Sequence, residues 1–382
     1  MKIAFISTYP PFICGIATYT GYLAKALSQN SSVDLVVISE GGQNQEGDTF
    51  PVHNDYSRRT CFKQNILRRI DEDKPDLIHL QHAPDLFHNS QELISLFEEI
   101  SKREVKLVVT VHTADTGKNF AIDWKEFYTT ILKFGHIIVH NTMSIGSLNY
   151  YNLSVKQVHV IAHGTDFPDL PAKVDARKKL GFNDDNFIFL VLGFIHALKN
   201  HHTIIRAFNR IKNRKNVRLL IAGTARGGMW YNKLYILVCR LLGLLNRNIV
   251  YHNHFIEDGD MADYLAASDV LLLPYWQKYP SASGIFHLAI GSRIGIICSD
   301  SAKFSEVKNH MKKLDKLMFI PMLSISKWAK AMSVIIEDPS QNREIQDRLY
   351  EYAEKTSWEK IAKEHLALYQ SVIGSGEDSS SS

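Results

Sequence analysis

Cysteine is scarce and scattered in this chain. The four thiols, Cys14, Cys61, Cys239 and Cys298, form no C-x-x-C pair. That argues against a disulfide framework and a cysteine-based zinc site, and it suits a reducing compartment. Long apolar runs are also missing. The longest candidate, 235–245, is broken by Arg240 and Gly243, short of the roughly 18–20 residues that span a bilayer. No charged segment followed by an apolar one precedes the strand-like start at 2–7, so no signal peptide is expected. Dense Lys/Arg tracts interleaved with aromatics are absent, which sets nucleic acid aside. The formal net charge of +4 selects no partner by itself. Low complexity is confined to the polar tail 374–382, which is expected to be disordered.

What is present is regular alternation. With 382 residues, 45% hydrophobic and 22% charged, the chain is soluble in composition and long enough for two cores. Short Val/Ile-rich runs recur at 3–6, 35–38, 77–80, 107–111, 137–139 and 158–161. Each is apolar nearly throughout, as strands buried on both faces of a parallel sheet must be. Between the first two, Ile16, Tyr19, Leu23, Ala26 and Leu27 share one helix face. The pattern restarts at 187–192 and continues through 217–222, 248–251, 270–273, 294–298 and 318–320. Strand–helix alternation twice over predicts an α/β protein of two doubly wound domains. Two prolines in Phe167–Pro171 mark the join. The expected division is 1–168, 169–355, a helix at 356–373 packing back across the join, and the tail 374–382.

Ligands in such sheets sit beyond the carboxyl ends of the strands. Gly15 stands after the first strand and before a helix, where free N–H groups favour oxygens. Four strand ends in the first half carry histidine: His82, His112, His140 and His163. Imidazoles there can bond hydroxyls or stabilise developing charge. In the second half, Gly193 ends a strand and Lys199 follows it, placed to neutralise a diphosphate. Ser281, Ser283 and Gly284 precede a helix and can serve as phosphate cradle, as N-cap, or as both. Asp71-Glu72-Asp73 and Asp258-Gly259-Asp260 imitate a metal motif, but turn and cap roles account for them. The aromatic and aliphatic stretch 229–245 reads either as a helix packed on the second sheet or as an interfacial helix for a membrane-bound acceptor.

In their order these pieces resemble glycosyltransferase family 4. The resemblance runs from Pro10-Pro11 and Gly15-Ile16-Ala17 through Gln81-His82, Thr110–Thr113, Ile161–Gly164, Gly193–Asn200, Leu219–Gly223 and Ala267–Val270 to Ser357-Trp358-Glu359 and Tyr369. It implies the GT-B fold, two Rossmann-like domains facing across a cleft. It implies a retaining, metal-independent transfer of a hexose from a UDP- or GDP-sugar to a saccharide or lipid-linked acceptor, with no other cofactor. The setting implied is cell-surface polysaccharide synthesis in the cytoplasm, with peripheral attachment to the inner membrane face as an option. By resemblance, His112 and Lys199 are catalytic. Gly15, Gly193, His196, Lys199, Asn253, Ser281, Ser283, Gly284 and Glu306 bind the donor. Gln81, His82 and His140 face the acceptor.

Two departures from the family pattern stand out. His196 occupies a position where many members have arginine, and a neutral imidazole holds phosphate less firmly than a guanidinium. The usual Glu-x7-Glu is missing, since 281–290 contains no glutamate; Glu306 is the replacement carboxylate. These departures leave an alternative: a catalytically degenerate subunit that binds sugar or stabilises an active partner.

Overall fold

A computed structural model of the protein describes residues 1–374 other than 59, 85, 88, 89, 116, 118–121, 213, 214, 226–229, 278, 279 and 309. The expected disordered tail, from residue 375 on, lies outside the described residues.

The chain divides into two compact units. The first comprises Met1–Gly164, Tyr279–Gly284 and Thr356–Ser382, and the second Thr165–Lys278 and Ile285–Lys355. The division therefore falls after Gly164, ahead of the proline pair.

The first unit holds seven strands: β1 (Lys2–Thr8), β2 (Asp34–Glu40), β3 (Val52–Asn54), β4 (Leu77–His82), β5 (Lys106–Val111), β6 (Gly135–Val139) and β7 (Val158–Val160). All pair in parallel, in the order β3-β2-β1-β4-β5-β6-β7. The short β3 has no apolar run and is an addition to the sequence reading. The central strands are buried end to end, because helices cover both faces of the sheet. One face carries Phe62, Phe97, Trp124 and Phe127. The other carries Tyr9, Tyr19, Leu23, Trp358 and Tyr369. The last two belong to the C-terminal helix Trp358–Gly374, which packs on the helix Gly15–Ser28. The six-membered ring of Trp358 lies so close to Gly164 that a Cβ there would sit 2.2 Å from it. Glycine at 164 is thus required by packing.

The second unit repeats the plan with β8 (Phe187–Leu192), β9 (Val217–Ala222), β10 (Ile249–His252), β11 (Val270–Leu273), β12 (Gly295–Ser299) and β13 (Phe319–Ile320). Its order is β10-β9-β8-β11-β12-β13, again parallel. Strand order reverses between β1 and β4 in the first unit, and between β8 and β11 in the second. Connections leave in opposite directions there and open a crevice at the carboxyl edge. Every candidate site residue on or just after a strand stands at such an edge. Among the described residues no helix is long and apolar enough to cross a membrane.

Candidate functional site

In the first unit the edge is built from imidazoles. Gln81 ends β4, His112 follows β5 and His140 follows β6. The His112 Nε2 lies 2.8 Å from Gln81 Oε1, and its Nδ1 lies 3.0 Å from His140 Nε2. His140 Nδ1 meets the Ile161 carbonyl at 3.1 Å. On the other side, Gln81 Nε2 is 3.1 Å from His79 Nε2, and His79 Nδ1 is 2.6 Å from the Tyr369 hydroxyl. Tyr19 stands against three of the rings, 4.7 Å from His112, 5.3 Å from His140 and 5.1 Å from His163.

Proton positions follow from the only partner with no choice. A carbonyl accepts, so His140 carries a proton on Nδ1, and with the ring neutral its Nε2 is bare. His112 therefore donates from Nδ1. Burial, with His140 and His163 nearby, pushes the His112 pKa well below its ordinary value. His112 is then neutral, and its Nε2 must accept. That requires the NH2 face of Gln81, a half-turn of an amide whose two ends have the same shape. With neutral rings the result is one directional chain: Tyr369 hydroxyl to His79, His79 Nε2 shared between Thr110 Oγ1 at 2.7 Å and Gln81, Gln81 to His112, His112 to His140, His140 to the Ile161 carbonyl.

His82 is not part of this chain. Successive strand residues point to opposite faces, so His82 turns away from the side of Gln81. It is 1% exposed and packs 4.3 Å from the Phe127 ring and 6.1 Å from the Trp124 ring. Burial pushes its pKa down to about 3. The expectation of an acceptor contact is corrected here: His82 is a neutral core residue.

The serine segment groups with this unit, not with the second half of the chain where the sequence placed it. Ser281 forms an isolated antiparallel bridge with Thr113, one residue past His112. Ser281 and Ser283 are both buried, and a Cβ on Gly284 would come within 4.0 Å of His163 Nε2. Gly15 opens the helix after β1, and a Cβ there would meet nothing within 4 Å. Among the described residues no packing demands glycine at 15.

In the second unit the edge is cationic. Gly193 ends β8 with φ +99°, and a Cβ on it would stand 2.8 Å from Lys199 Nζ. Gly223, after β9, has φ +143°, and its Cβ would strike the Gly193 carbonyl at 2.1 Å. Two glycines here allow backbone to lie against backbone where side chains cannot. Lys199 ends a short turn after His196, held by Trp276 N–H donating to the Leu198 carbonyl at 2.7 Å. Its Nζ lies 5.6 Å from the centre of the Tyr275 ring. Tyr275 follows β11, so this contact bridges the point where strand order reverses.

A second lysine, Lys303, stands 5.8 Å from the same ring centre. Burial, and then the charge of Lys199, push its pKa down to about 8, against the pull of Glu306. Two ammonium groups crowd one aromatic ring. The sequence reading passed over Lys303, which sits in an unremarkable Ser-Ala-Lys-Phe turn. The nearby Glu306, singled out as a carboxylate, was the available signal.

Glu306 Oε1 meets His287 Nε2 at 3.2 Å, and His287 Nδ1 meets Thr165 Oγ1 at 3.0 Å. Glu306 Oε2 is buried with no hydrogen-bond partner, an incomplete shell for a group this costly to bury. Asn253 is exposed in the loop after β10. That loop returns to the edge through Phe255, whose ring is 6.0 Å from Phe194, beside Gly193. His196 is half-buried at the head of the lysine turn.

The discounted acidic motifs answer local cations. Asp71 pairs with Arg103 at 2.7 Å, and Asp260 with Lys179 at 3.2 Å. Among the described residues no group of three or more His, Cys, Asp or Glu side chains is arranged to hold a metal ion.

Comparison with known proteins places this architecture. Residues 173–356 match the family described as Glycosyl transferases group 1, and residues 13–167 match Glycosyltransferase Family 4. An uncharacterized glycosyltransferase of Methanocaldococcus jannaschii is 22% identical, over 97% of this chain and 98% of its own. Among solved structures, the sucrose-phosphate synthase of Thermosynechococcus elongatus superposes with a TM-score of 0.77 at 17% identity, over 98% of this chain and 100% of its own. An Anabaena protein solved in complex with UDP-glucose superposes with a TM-score of 0.75 at 16% identity, over 97% and 100%.

Proposed function

The chain is a glycosyltransferase of family 4 with the GT-B fold, and from that premise we propose that it moves a hexose from a nucleoside diphosphate sugar to a saccharide or lipid-linked acceptor, retaining the anomeric configuration. The observation that carries the donor assignment is the pair Lys199 and Lys303 on one tyrosine ring, beside the glycine-lined end of β8. Two lysines at one ring, one with its pKa depressed in part by the other, make this edge positive and favour an anion. A diphosphate supplies that anion, and a neighbour solved with UDP-glucose supports the choice.

On this reading Lys303 supplies the second cation that His196 does not. Glu306 Oε2, buried and unpartnered, accepts from a ribose hydroxyl in place of the missing glutamates. Asn253 lies toward the base. Gly15 leaves room at the N-terminus of its helix for the transferred sugar or the phosphates. The family resemblance also assigns Ser281, Ser283 and Gly284 to phosphate.

The chemistry needs no dedicated base. The bond from the anomeric carbon to the diphosphate oxygen breaks, its electron pair staying with the diphosphate. The acceptor oxygen attacks from the face the diphosphate leaves, and its proton passes to a phosphate oxygen. The lysines stabilise the charge that grows on the leaving group. His112, neutral and locked by Gln81 and His140, orients its ring beside the sugar without adding charge. No metal or further cofactor enters this scheme. The scattered thiols suit action in the cytoplasm, and cell-surface polysaccharide synthesis is the setting we propose.

The test is calorimetric titration with UDP and with GDP, on the wild type, Lys199→Ala and a Ser283→Ala/Gly284→Ala double variant. Tight binding of one nucleotide, lost in the variants, supports the donor site. If neither nucleotide binds, the donor assignment fails and a degenerate subunit that supports a partner becomes the better reading.

A further inference from the structure

The helix Trp230–Gly243 joins β9 to the edge strand β10, and it is apolar on the wrong side. Its buried stripe is narrow and small: Asn232, Ile236, Cys239 and Gly243, spaced four, three and four residues apart. That stripe is fixed to the unit by Tyr235, whose hydroxyl lies 2.9 Å from His202 Nδ1, and by Tyr251, whose hydroxyl donates to the Cys239 carbonyl at 2.8 Å. The opposite side faces outward. It carries Trp230, Leu234, Leu237, Val238 and Leu241, with Leu244 and Leu245 continuing past the helix end. Trp230 is 73% exposed, Leu244 72% and Leu245 99%. Single exposed apolar residues are ordinary on a protein surface, but a contiguous row of this length is a contact surface.

The charges around the row say what kind of contact. Lys233, Arg240 and Arg247 are all exposed and recur every seven residues. At 3.6 residues per turn Lys233 and Arg240 line one flank of the outward apolar stripe, and Arg247 follows in the turn after the helix. No Asp or Glu occurs anywhere from residue 186 to residue 256. The adjoining helix His201–Phe208 adds the exposed Arg206 on the same side of the sheet sequence, and Asn209 just after it donates to the Leu242 carbonyl at 3.1 Å. An aromatic end, an aliphatic outward face and a one-signed basic flank together match the interface of an anionic bilayer, where leucines enter the acyl boundary and cations meet headgroup phosphates.

We infer that the outward face of Trp230–Gly243 docks this protein on an anionic lipid surface. The helix lies flat in the interface with Leu234, Leu237, Val238 and Leu241 inserted, and Lys233, Arg240 and Arg247 at headgroup level. This attachment needs neither donor nor acceptor, so it stands or falls apart from the transfer reaction.

The test is co-sedimentation with vesicles of phosphatidylcholine alone and of phosphatidylcholine with phosphatidylglycerol, beside sedimentation equilibrium of the protein without lipid. The wild type is expected to bind the anionic vesicles. Leu237→Glu/Leu241→Glu is expected to lose about tenfold or more in affinity, having lost two inserted side chains. Lys233→Gln, Arg240→Gln and Arg247→Gln are expected to lose about fivefold each and to remove the preference for anionic lipid. All five side chains point outward, so unchanged circular dichroism and melting temperature are expected, and the single charge variants report even if the double leucine variant unfolds. Equal binding to both vesicle types would overturn the inference. So would a dimer that binds no vesicles and that Leu237→Glu/Leu241→Glu converts to monomer, since a second copy would then be what covers the face.

Discussion

The two carboxyl edges of this molecule handle polarity in opposite ways. The first unit gathers imidazoles, an amide and a tyrosine into a neutral chain in which each proton already has a destination. The second gathers two ammonium groups against one tyrosine ring. A neutral, directional chain fixes geometry and suits hydroxyl-bearing partners, because nothing in it repels or demands charge. A crowded cation pair holds its own geometry poorly until an anion arrives. The same sheet plan, used twice, thus yields one hydrogen-bonded edge and one cationic edge. What differs is which residue types stand at the strand ends and in the first seven positions past them.

The largest effect should come from removing Trp358 from the first unit. This side chain stacks 5.6 Å from the Tyr22 ring, packs 5.1 Å from Tyr19, and covers Gly164. Trp358→Ala is expected to cost about 3–5 kcal/mol of stability, the range for a large buried aromatic. Because the whole contact lies in the first unit, nucleotide affinity should survive below the new melting temperature. Calorimetric melting with and without nucleotide reads both. A melting temperature unchanged within a degree or so would mean the C-terminal helix does not hold the first unit together.

Lys199→Ala should come next, lowering nucleotide diphosphate affinity by about 10–100-fold, the range for a lost charge-assisted hydrogen bond of about 1.5–3 kcal/mol. Stability should move less than affinity, since the Lys199 ammonium contact to the Leu192 carbonyl is long, at 3.5 Å. A nucleoside monophosphate, with less charge to neutralise, should be affected less. Equal losses for both would place Lys199 away from the second phosphate.

Much of this was legible from residues alone. Buried-on-both-faces runs such as Leu77–Leu80 and Leu271–Leu273 announced parallel strands, and glycine or histidine at their ends announced the edges. What escaped was whatever depends on direction. Gln81 and His82 are neighbours in sequence and were read as one pair, but strand alternation sends one to the imidazole chain and the other into the core. Lys303 was missed because its turn has no pattern of its own; only Ser301 capping it, and Tyr275 from a different strand end, give it meaning. The segment Ser281–Gly284 was assigned by its place in the chain, whereas its bridge to Thr113 groups it with the first unit. Helix 230–243 was readable as apolar, but not that its larger face points outward.

Lys303 sharpens the comparison through pH. Its pKa lies near 8 in the folded protein, below the ordinary lysine value. A nearby diphosphate favours the charged form, so wild-type nucleotide affinity should fall as pH rises through about 8. Lys303→Met should bind about tenfold more weakly at pH 7, by loss of one charged contact, and should lose the pH dependence in that window. The sign for stability is the reverse. Between about pH 8 and the unfolded pKa the unfolded chain binds more protons than the native one, so stability without nucleotide rises with pH there. Affinity that stays level from pH 7 to 9 in the wild type would remove Lys303 from the phosphate site.

The most specific effect belongs to Gln81. The neutral chain requires its NH2 to face His112, which leaves His112 protonated on Nδ1 and bare on Nε2. Gln81→Glu has nearly the same shape but only accepts. A carboxylate there can be satisfied only by a proton on His112 Nε2, so the variant should move the His112 pKa upward and turn the ring toward imidazolium. His79 must answer the same carboxylate with its own Nε2 proton, as it does in the wild-type chain, so Tyr369 continues to donate to His79 Nδ1. The fold should persist with about 1–3 kcal/mol lost, the cost of burying a charge-changed hydrogen bond. Nitrogen-15 spectra of the histidine rings distinguish these states directly. In the wild type at neutral pH they should show His112 as the Nδ1–H tautomer. A doubly protonated ring in the wild type would break the contrast between a neutral edge and a charged one, and would make His112 a cation facing the sugar.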